Sequence, residues 1–143
     1  MLQFALITAF IGIGIAGPRW PEPAWEALSV VGAVLALAGA LLAAISARAL
    51  GRGITPFPRP LRHGEFVGRG PYRLARHPIY LGGILFFTGL ALVFSPAALV
   101  PTVALAIVWA LKATVEERFL LAEYPAYAAY RERARYRLIP FVY

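Results

Sequence analysis

The chain has 143 residues, 60% of them hydrophobic, and a net charge of +7 from 14 basic and seven acidic side chains. That length fits one domain, and a mean hydropathy of +0.69 with charge confined to a few segments points to a bilayer rather than an aqueous core. Without cysteine, disulfides, thiolate catalysis and Cys-based metal sites are excluded. Arginine makes up 13 of the 14 basic residues and lies just beyond apolar runs, where headgroups and topology account for it and nucleic acid need not.

The first apolar run, Leu2 to Gly17, ends at the helix-stop pair Gly17-Pro18. At about 16 residues it would be roughly 24 Å long, slightly short for a span. It lacks a basic leader and a small-x-small cleavage site, so it reads as a retained helix rather than a signal peptide. Pro18 to Glu26 holds one Arg, two Glu and three Pro, flanked by Trp20 and Trp25 at interfacial positions, and reads as a short external loop. Ala27 to Ala47 is long enough to span, and its Gly32, Ala36, Gly39, Ala40, Ala43 and Ala44 permit close helix approach.

Arg48 to His77 follows, with seven Arg and one Glu, so rich in Gly and Pro that a long regular element is forbidden. Long loops of this kind are usually functional. Ile79 to Val115 is apolar apart from Lys112 and is broken at Ser95-Pro96, which predicts a helical hairpin. From Glu116 the chain is charged and aromatic. Pro125 suits a first helical turn, and Tyr127, Tyr130, Ala134 and Leu138 recur at helical spacing. Positive-inside counting places the 48–77 loop, the tail and both termini on the cytoplasmic face. The expected fold is therefore all-α: one polytopic membrane domain over 1–143 with about four transmembrane helices, a hairpin and a cytoplasmic C-terminal helix. The first two spans occupy 1–47.

Three features meet on that face. Arg76-His77-Pro78-Ile79-Tyr80-Leu81-Gly82 begins where the loop enters the third helix. Pro78 suits a position whose N–H is unpaired anyway, the turn after it can bind an anion, and Gly82 and Gly83 admit close approach to the backbone. The same residues also suit plain interfacial roles, with Arg76 reaching phosphates and Tyr80 in an aromatic belt. Glu116-Glu117 lies near the end of an apolar helix, where the dipole disfavours anions by about 0.3–1 kcal/mol. The pair requires compensation from Arg, from a ligand, or from Lys112 or Arg118. In the tail, Arg131, Arg133, Arg135 and Arg137 alternate, so on a helix they divide between two faces. Arg137 stands apart because Leu138-Ile139-Pro140 follows it.

Together, Gly70-Pro71-Tyr72-Arg73, Arg76-His77-Pro78-Ile79-Tyr80-Leu81-Gly82, a hairpin, Glu116-Glu117, Tyr127-x-x-Tyr130 and Arg137-x-x-Pro140 resemble the isoprenylcysteine carboxyl methyltransferase family, related to the phospholipid N-methyltransferases. Thr55-Pro56-Phe57-Pro58-Arg59-Pro60 looks like the lead-in of bacterial members, and Ala134 stands where the family often has Val. The resemblance covers roughly residues 48–142, which would form the catalytic core.

It implies an integral membrane methyltransferase of the bacterial inner membrane that uses S-adenosyl-L-methionine in a cytoplasmic pocket. A lipid-like or prenylated acceptor would enter from the bilayer, and carboxyl O-methylation is the leading reaction, with phospholipid N-methylation as its alternative. On this resemblance Glu117 and Glu116 would meet the cofactor's amino group or ribose. His77 and the backbone after Pro78 would meet its carboxylate, and Tyr80 would pack near the adenosine. Tyr127, Tyr130 and Arg137 would close the pocket from the tail, while Arg137 or Arg76 would hold an acceptor acid group. An amine acceptor would need a base, for which His77 or a Glu serves. No metal is implied. A membrane reductase using NADPH and a non-enzymatic clamp for anionic lipid are the competing readings.

Overall fold

The computed structural model describes residues 2–51 and 67–140. The Thr55–Pro60 motif and the centre of the Arg-rich loop lie outside the described residues. Five α-helices occur among them: α1 (Leu2–Ala16), α2 (Ala24–Leu50), α3 (Pro78–Phe94), α4 (Leu99–Glu123) and α5 (Ala126–Arg133). Short 3-10 turns precede α3 (Gly70–Arg73) and α4 (Pro96–Ala98), and no strand appears among the described residues. α2 and the helical run Pro96–Glu123 are each long and apolar enough to cross a membrane; α1 and α3 are apolar but shorter. Val30, Val34, Leu37 and Leu41 on α2, and Val100, Val103, Ile107 and Leu111 on α4, are all more than half exposed. Such unbroken apolar stripes suit lipid as their surroundings.

Two compact units divide the chain: Met1–Leu41 with Gly82–Val108, and Leu42–Leu81 with Trp109–Tyr143. In the first unit α2 and α3 meet at their glycines. A Cβ on Gly89 would lie 2.4 Å from both the Ala36 amide nitrogen and the Gly32 carbonyl oxygen, and one on Gly39 would lie 2.4 Å from the Phe86 amide. The small residues of α2 thus serve contact within the chain. α1 adds Phe10, which packs edge-on to Phe87 at 4.9 Å and is buried with Ala91 and Ala98.

Apart from Ala91 O, which accepts from the Ser95 amide at 3.0 Å, the last carbonyls of α3 fall beyond the reach of the helix's own amides, and no basic residue in its last turn answers them. The loop after α1 and the first turn of α2 supply donors: Trp20 Nε1 to Ala91 O (3.1 Å), Trp25 Nε1 to Val93 O (3.2 Å) and Arg19 to Phe94 O (3.2 Å). Both tryptophans expected at an interface therefore also cap a helix.

In the second unit Tyr72, Tyr127, Tyr130 and Ala134 form a buried cluster against Ala49, Leu50, Val67, Leu120 and Tyr124. Gly70, at φ +61°, makes the left-handed step into the Gly70–Arg73 turn, a conformation that costs glycine nothing. Two expectations are corrected. α4 runs through Glu123, so Glu116 and Glu117 lie within the helix rather than at its end, and the dipole penalty does not apply there. The tail helix ends at Arg133: Ala134 leaves helical geometry (φ −91°, ψ 82°), and Leu138 is buried from an irregular segment. The cause is competition for hydrogen bonds, since the carbonyls of Tyr136 and Arg137 accept from the amides of Arg76 (2.9 Å) and His77 (3.0 Å).

Candidate functional site

The start of α3 with the two residues before it, the second half of α4 and the segment after α5 bring seven charged or titratable side chains together in the second unit. Pro78 opens α3, and the His77 carbonyl caps it by accepting from the amides of Tyr80 and Leu81, both at 3.1 Å. The Tyr80 amide is thus already bonded, and the His77 amide goes to Arg137. The anion-binding backbone expected after Pro78 is consequently diminished.

Arg76 is the bracket of the cluster. Its Nε donates to Glu117 Oε1 at 2.7 Å and its second terminal nitrogen reaches Oε2 at 3.5 Å. The remaining terminal nitrogen donates to the carbonyls of Ala134 (2.7 Å) and Arg135 (2.8 Å). A guanidinium has five N–H groups in a fixed fork, and these four bonds leave one for anything else. Arg76 therefore ties the tail to α4 and is poorly placed to clasp an acceptor.

Glu117, only 3% exposed, also lies 3.3 Å from a terminal nitrogen of Arg137, which in turn donates to Thr114 Oγ1 at 3.1 Å. Glu116 accepts from the Tyr80 hydroxyl and lies 4.0 Å from Lys112 Nζ. Between the two carboxylates sits His77, 7% exposed, with Nδ1 3.4 Å from Glu116 and Nε2 3.4 Å from Glu117. Nε2 is buried without a well-aligned acceptor. Burial disfavours the imidazolium, but the hydrogen bonds and charges of Glu116 and Glu117 outweigh it, and the His77 pKa is raised.

An aromatic column adjoins the charges. His77 and Tyr80 stack at 5.7 Å, Tyr80 and Trp109 stack at 5.7 Å, and Lys112 Nζ lies 5.4 Å from the centre of the Tyr80 ring. Tyr127 and Tyr130 belong to the neighbouring cluster. The Tyr130 hydroxyl donates to the Tyr72 carbonyl, and burial pushes its pKa up to about 12. Burial raises Tyr72 and Tyr127 too, so these phenols remain protonated and neutral.

Of the residues singled out in the sequence, Arg76, His77, Tyr80, Glu116, Glu117 and Arg137 converge. Pro78 supplies the helix start, and Tyr127 and Tyr130 support the tail. Gly82 falls in the other unit, where its carbonyl faces Gly39. Arg131, Arg133 and Arg135 are exposed. Trp109 and Thr114 escaped sequence reasoning, and Lys112 entered it only as an ion-pair partner for the Glu pair. Their signal was present: each sits on α4 within one helical face or turn of the Glu pair, and Lys112 is the lone charge in its apolar run. No group of three His, Cys, Asp or Glu side chains able to hold a metal ion occurs among the described residues.

The sequence profile of the phospholipid methyltransferase family matches residues 28–126, from the first turns of α2 to the start of α5. The match takes in Arg76–Gly82 and Glu116-Glu117 and stops short of Tyr127, Tyr130 and Arg137. The cobalt-zinc-cadmium resistance protein CzcN of Cupriavidus metallidurans is similar, with 29% identity over 137 residues. That alignment covers 93% of this chain but 57% of CzcN, so the chain spans little more than half the length of this relative.

Proposed function

The chain belongs to the phospholipid methyltransferase family, and we propose that it is an integral membrane methyltransferase that moves a methyl group from S-adenosyl-L-methionine to a lipid-like acceptor carboxylate. The observation that carries the reading is the buried cluster of Arg76, His77, Glu116, Glu117 and Arg137, built from the segments that the family profile matches and from the tail folded onto them. Positive-inside counting supports four spans with the cluster and both termini facing the cytoplasm.

The donor set fits the cofactor. Side-chain exposure divides the cluster: Glu117 (4%), His77 (7%) and Arg76 (8%) are interior, while Glu116 (17%) and Arg137 (22%) are reachable. Glu116 would accept from the cofactor's ammonium or ribose hydroxyls. Arg137 would hold its carboxylate, a role that the bonded amides of Arg76 and His77 cannot fill. Tyr80 and Trp109 offer flat apolar faces to the adenine, and Tyr127 and Tyr130 keep the tail in place. Arg76, Glu117 and His77 position these groups, because each fixes a neighbour. When bound, S-adenosyl-L-methionine supplies a methyl group on a cationic sulfur, which a carboxylate lone pair displaces without prior loss of a proton.

The state of His77 favours a carboxylate acceptor. Held between two carboxylates, its imidazole keeps a proton to higher pH than usual, which makes it a poor base for an amine. Calorimetry of S-adenosylhomocysteine with the detergent-purified chain is the test. Binding that Glu116→Gln and Arg137→Gln each weaken at least about tenfold is expected from charge-assisted hydrogen bonds. A folded wild type that binds no S-adenosylhomocysteine would refute the reading, and NADPH would be the next ligand to try.

A further inference from the structure

We propose that Thr114 is a positioning residue for the cofactor's carboxylate: its hydroxyl, itself tied to the backbone of α4, sets the plane of the Arg137 guanidinium. The inference deepens the methyltransferase reading and rests on it for the identity of that carboxylate.

A threonine hydroxyl has one proton to give, so the direction of that proton decides what else the oxygen can do. In Thr114 the proton goes back one turn, to the Ala110 carbonyl at 3.0 Å. A β-branched side chain in a helix has few χ1 choices, and this back-bond holds one of them. What remains is an acceptor, and Arg137 uses it, donating from a terminal nitrogen at 3.1 Å. Thr114 Oγ1 is therefore a fixed point on a rigid helix, offered to a cation.

Arg137 needs such a point because its backbone is held while its side chain is long. Its carbonyl accepts from the His77 amide at 3.0 Å, and Leu138 beside it is buried. Those contacts place the main chain of Arg137 and leave the guanidinium to be ordered at a cost in rotamer freedom. Glu117, 3.3 Å from the other terminal nitrogen, supplies attraction. Attraction alone gives little direction, and the same carboxylate serves Arg76 at 2.7 Å and His77 at 3.4 Å. Thr114 adds direction. It stands one turn before Glu117, at i and i+3, so the pair presents one face of α4 to the two terminal nitrogens. Two contacts on one rigid face orient a planar group.

The oriented group is also within reach. The Arg137 side chain is 22% exposed, more open than Glu116 or Lys112. A carboxylate thus meets the guanidinium in the pose that α4 has set, and the ordering cost falls on the folded protein rather than on each binding event. Thr102 supplies the comparison within the same helix. Its hydroxyl makes the same back-bond, to the Ala98 carbonyl at 2.8 Å, and it belongs to the first unit rather than to the cluster. The back-bond alone is an ordinary feature of α4; the guanidinium bonded to it is what Thr114 adds.

The test titrates S-adenosylhomocysteine and its decarboxylated counterpart, S-adenosyl-3-thiopropylamine, into the detergent-solubilised full chain, with the weaker ligand read by competition. Wild type, Thr114→Val, Thr114→Ser and Thr102→Val are compared with Arg137→Gln and with Arg137→Gln combined with Thr114→Val. Wild type should prefer the ligand that carries the carboxylate. Valine keeps the shape and removes the hydroxyl, so Thr114→Val should lose about fivefold or more of that preference, with binding of the amine unchanged. Thr114→Ser and Thr102→Val should keep the preference, and Thr114→Val should cost nothing further once Arg137 is glutamine. A preference kept by Thr114→Val, or lost equally in Thr114→Ser or Thr102→Val, would overturn the proposal. So would an equal loss for both ligands, which marks a disturbed fold, or a loss undiminished in the Arg137→Gln background. A wild type that binds both ligands alike would overturn it as well, while leaving the cofactor reading in place. If the wild type binds neither, the methyltransferase reading fails and this proposal fails with it.

Discussion

His77 shows how a single buried side chain reports on a whole cluster. The folded protein binds its proton more tightly than the unfolded chain does, because two carboxylates at 3.4 Å outweigh burial. The resulting stabilisation is complete below the ordinary histidine pKa near ~6.5 and is lost as pH rises through the higher folded value. The thermal midpoint of the detergent-solubilised protein should fall from about pH 6.5 upward, with a flatter profile in His77→Gln. A wild-type profile that climbs over that range would mean a neutral imidazole. Arg76 makes a second prediction at this scale. Arg76→Lys keeps the charge but cannot reproduce a fork that bonds Glu117 and two tail carbonyls at once. It should cost about 1–3 kcal/mol of stability and loosen the tail, seen as faster proteolysis beyond Arg133. Resistance equal to wild type would remove the bracket role.

Between elements, the α2–α3 contact depends on the absence of side chains. At Gly89 a methyl would fall within 2.4 Å of backbone atoms of Gly32 and Ala36, which cannot rotate away as a flexible side chain would. Gly89→Ala should therefore destabilise by about 1–3 kcal/mol, whereas Gly12→Ala, with nothing within 4 Å, should be tolerated. Equal midpoints for the two variants would show that the helices can part without penalty. At the far end of α3, Trp25→Phe leaves the Val93 carbonyl without its indole donor, a loss of about 1 kcal/mol. The helices themselves were legible as apolar runs bounded by Gly17-Pro18, Ser95-Pro96 and Pro125, since proline and glycine act locally. The length of α4 was not: the seven residues beyond Glu116, three of them charged, continue the helix to Glu123. The tail, whose carbonyls meet the amides of Arg76 and His77, leaves the helix early.

For the molecule as a whole, the lack of cysteine makes orientation directly measurable. Single cysteines at the exposed positions Glu22 and Glu132 should label from opposite sides of the membrane, position 132 only from the cytoplasmic face. Labelling of both from one side would break the proposed four-span arrangement, for which α2 and Pro96–Glu123 supply two sufficiently long segments and α1 and α3 shorter ones. The sequence by itself determined an all-helical chain suited to a bilayer and a family resemblance, because hydropathy, helix breakers and a contiguous motif are written in local order. Which atoms face one another was decided by the tertiary structure alone. The pairings of Arg76 with Glu117, of Lys112 with Tyr80, and of the tail carbonyls with the amides just before α3 join residues 32 to 60 positions apart, on two helices and an irregular tail segment. No periodicity encodes such contacts; they arise where buried charges and unpaired backbone groups must find partners in the folded chain.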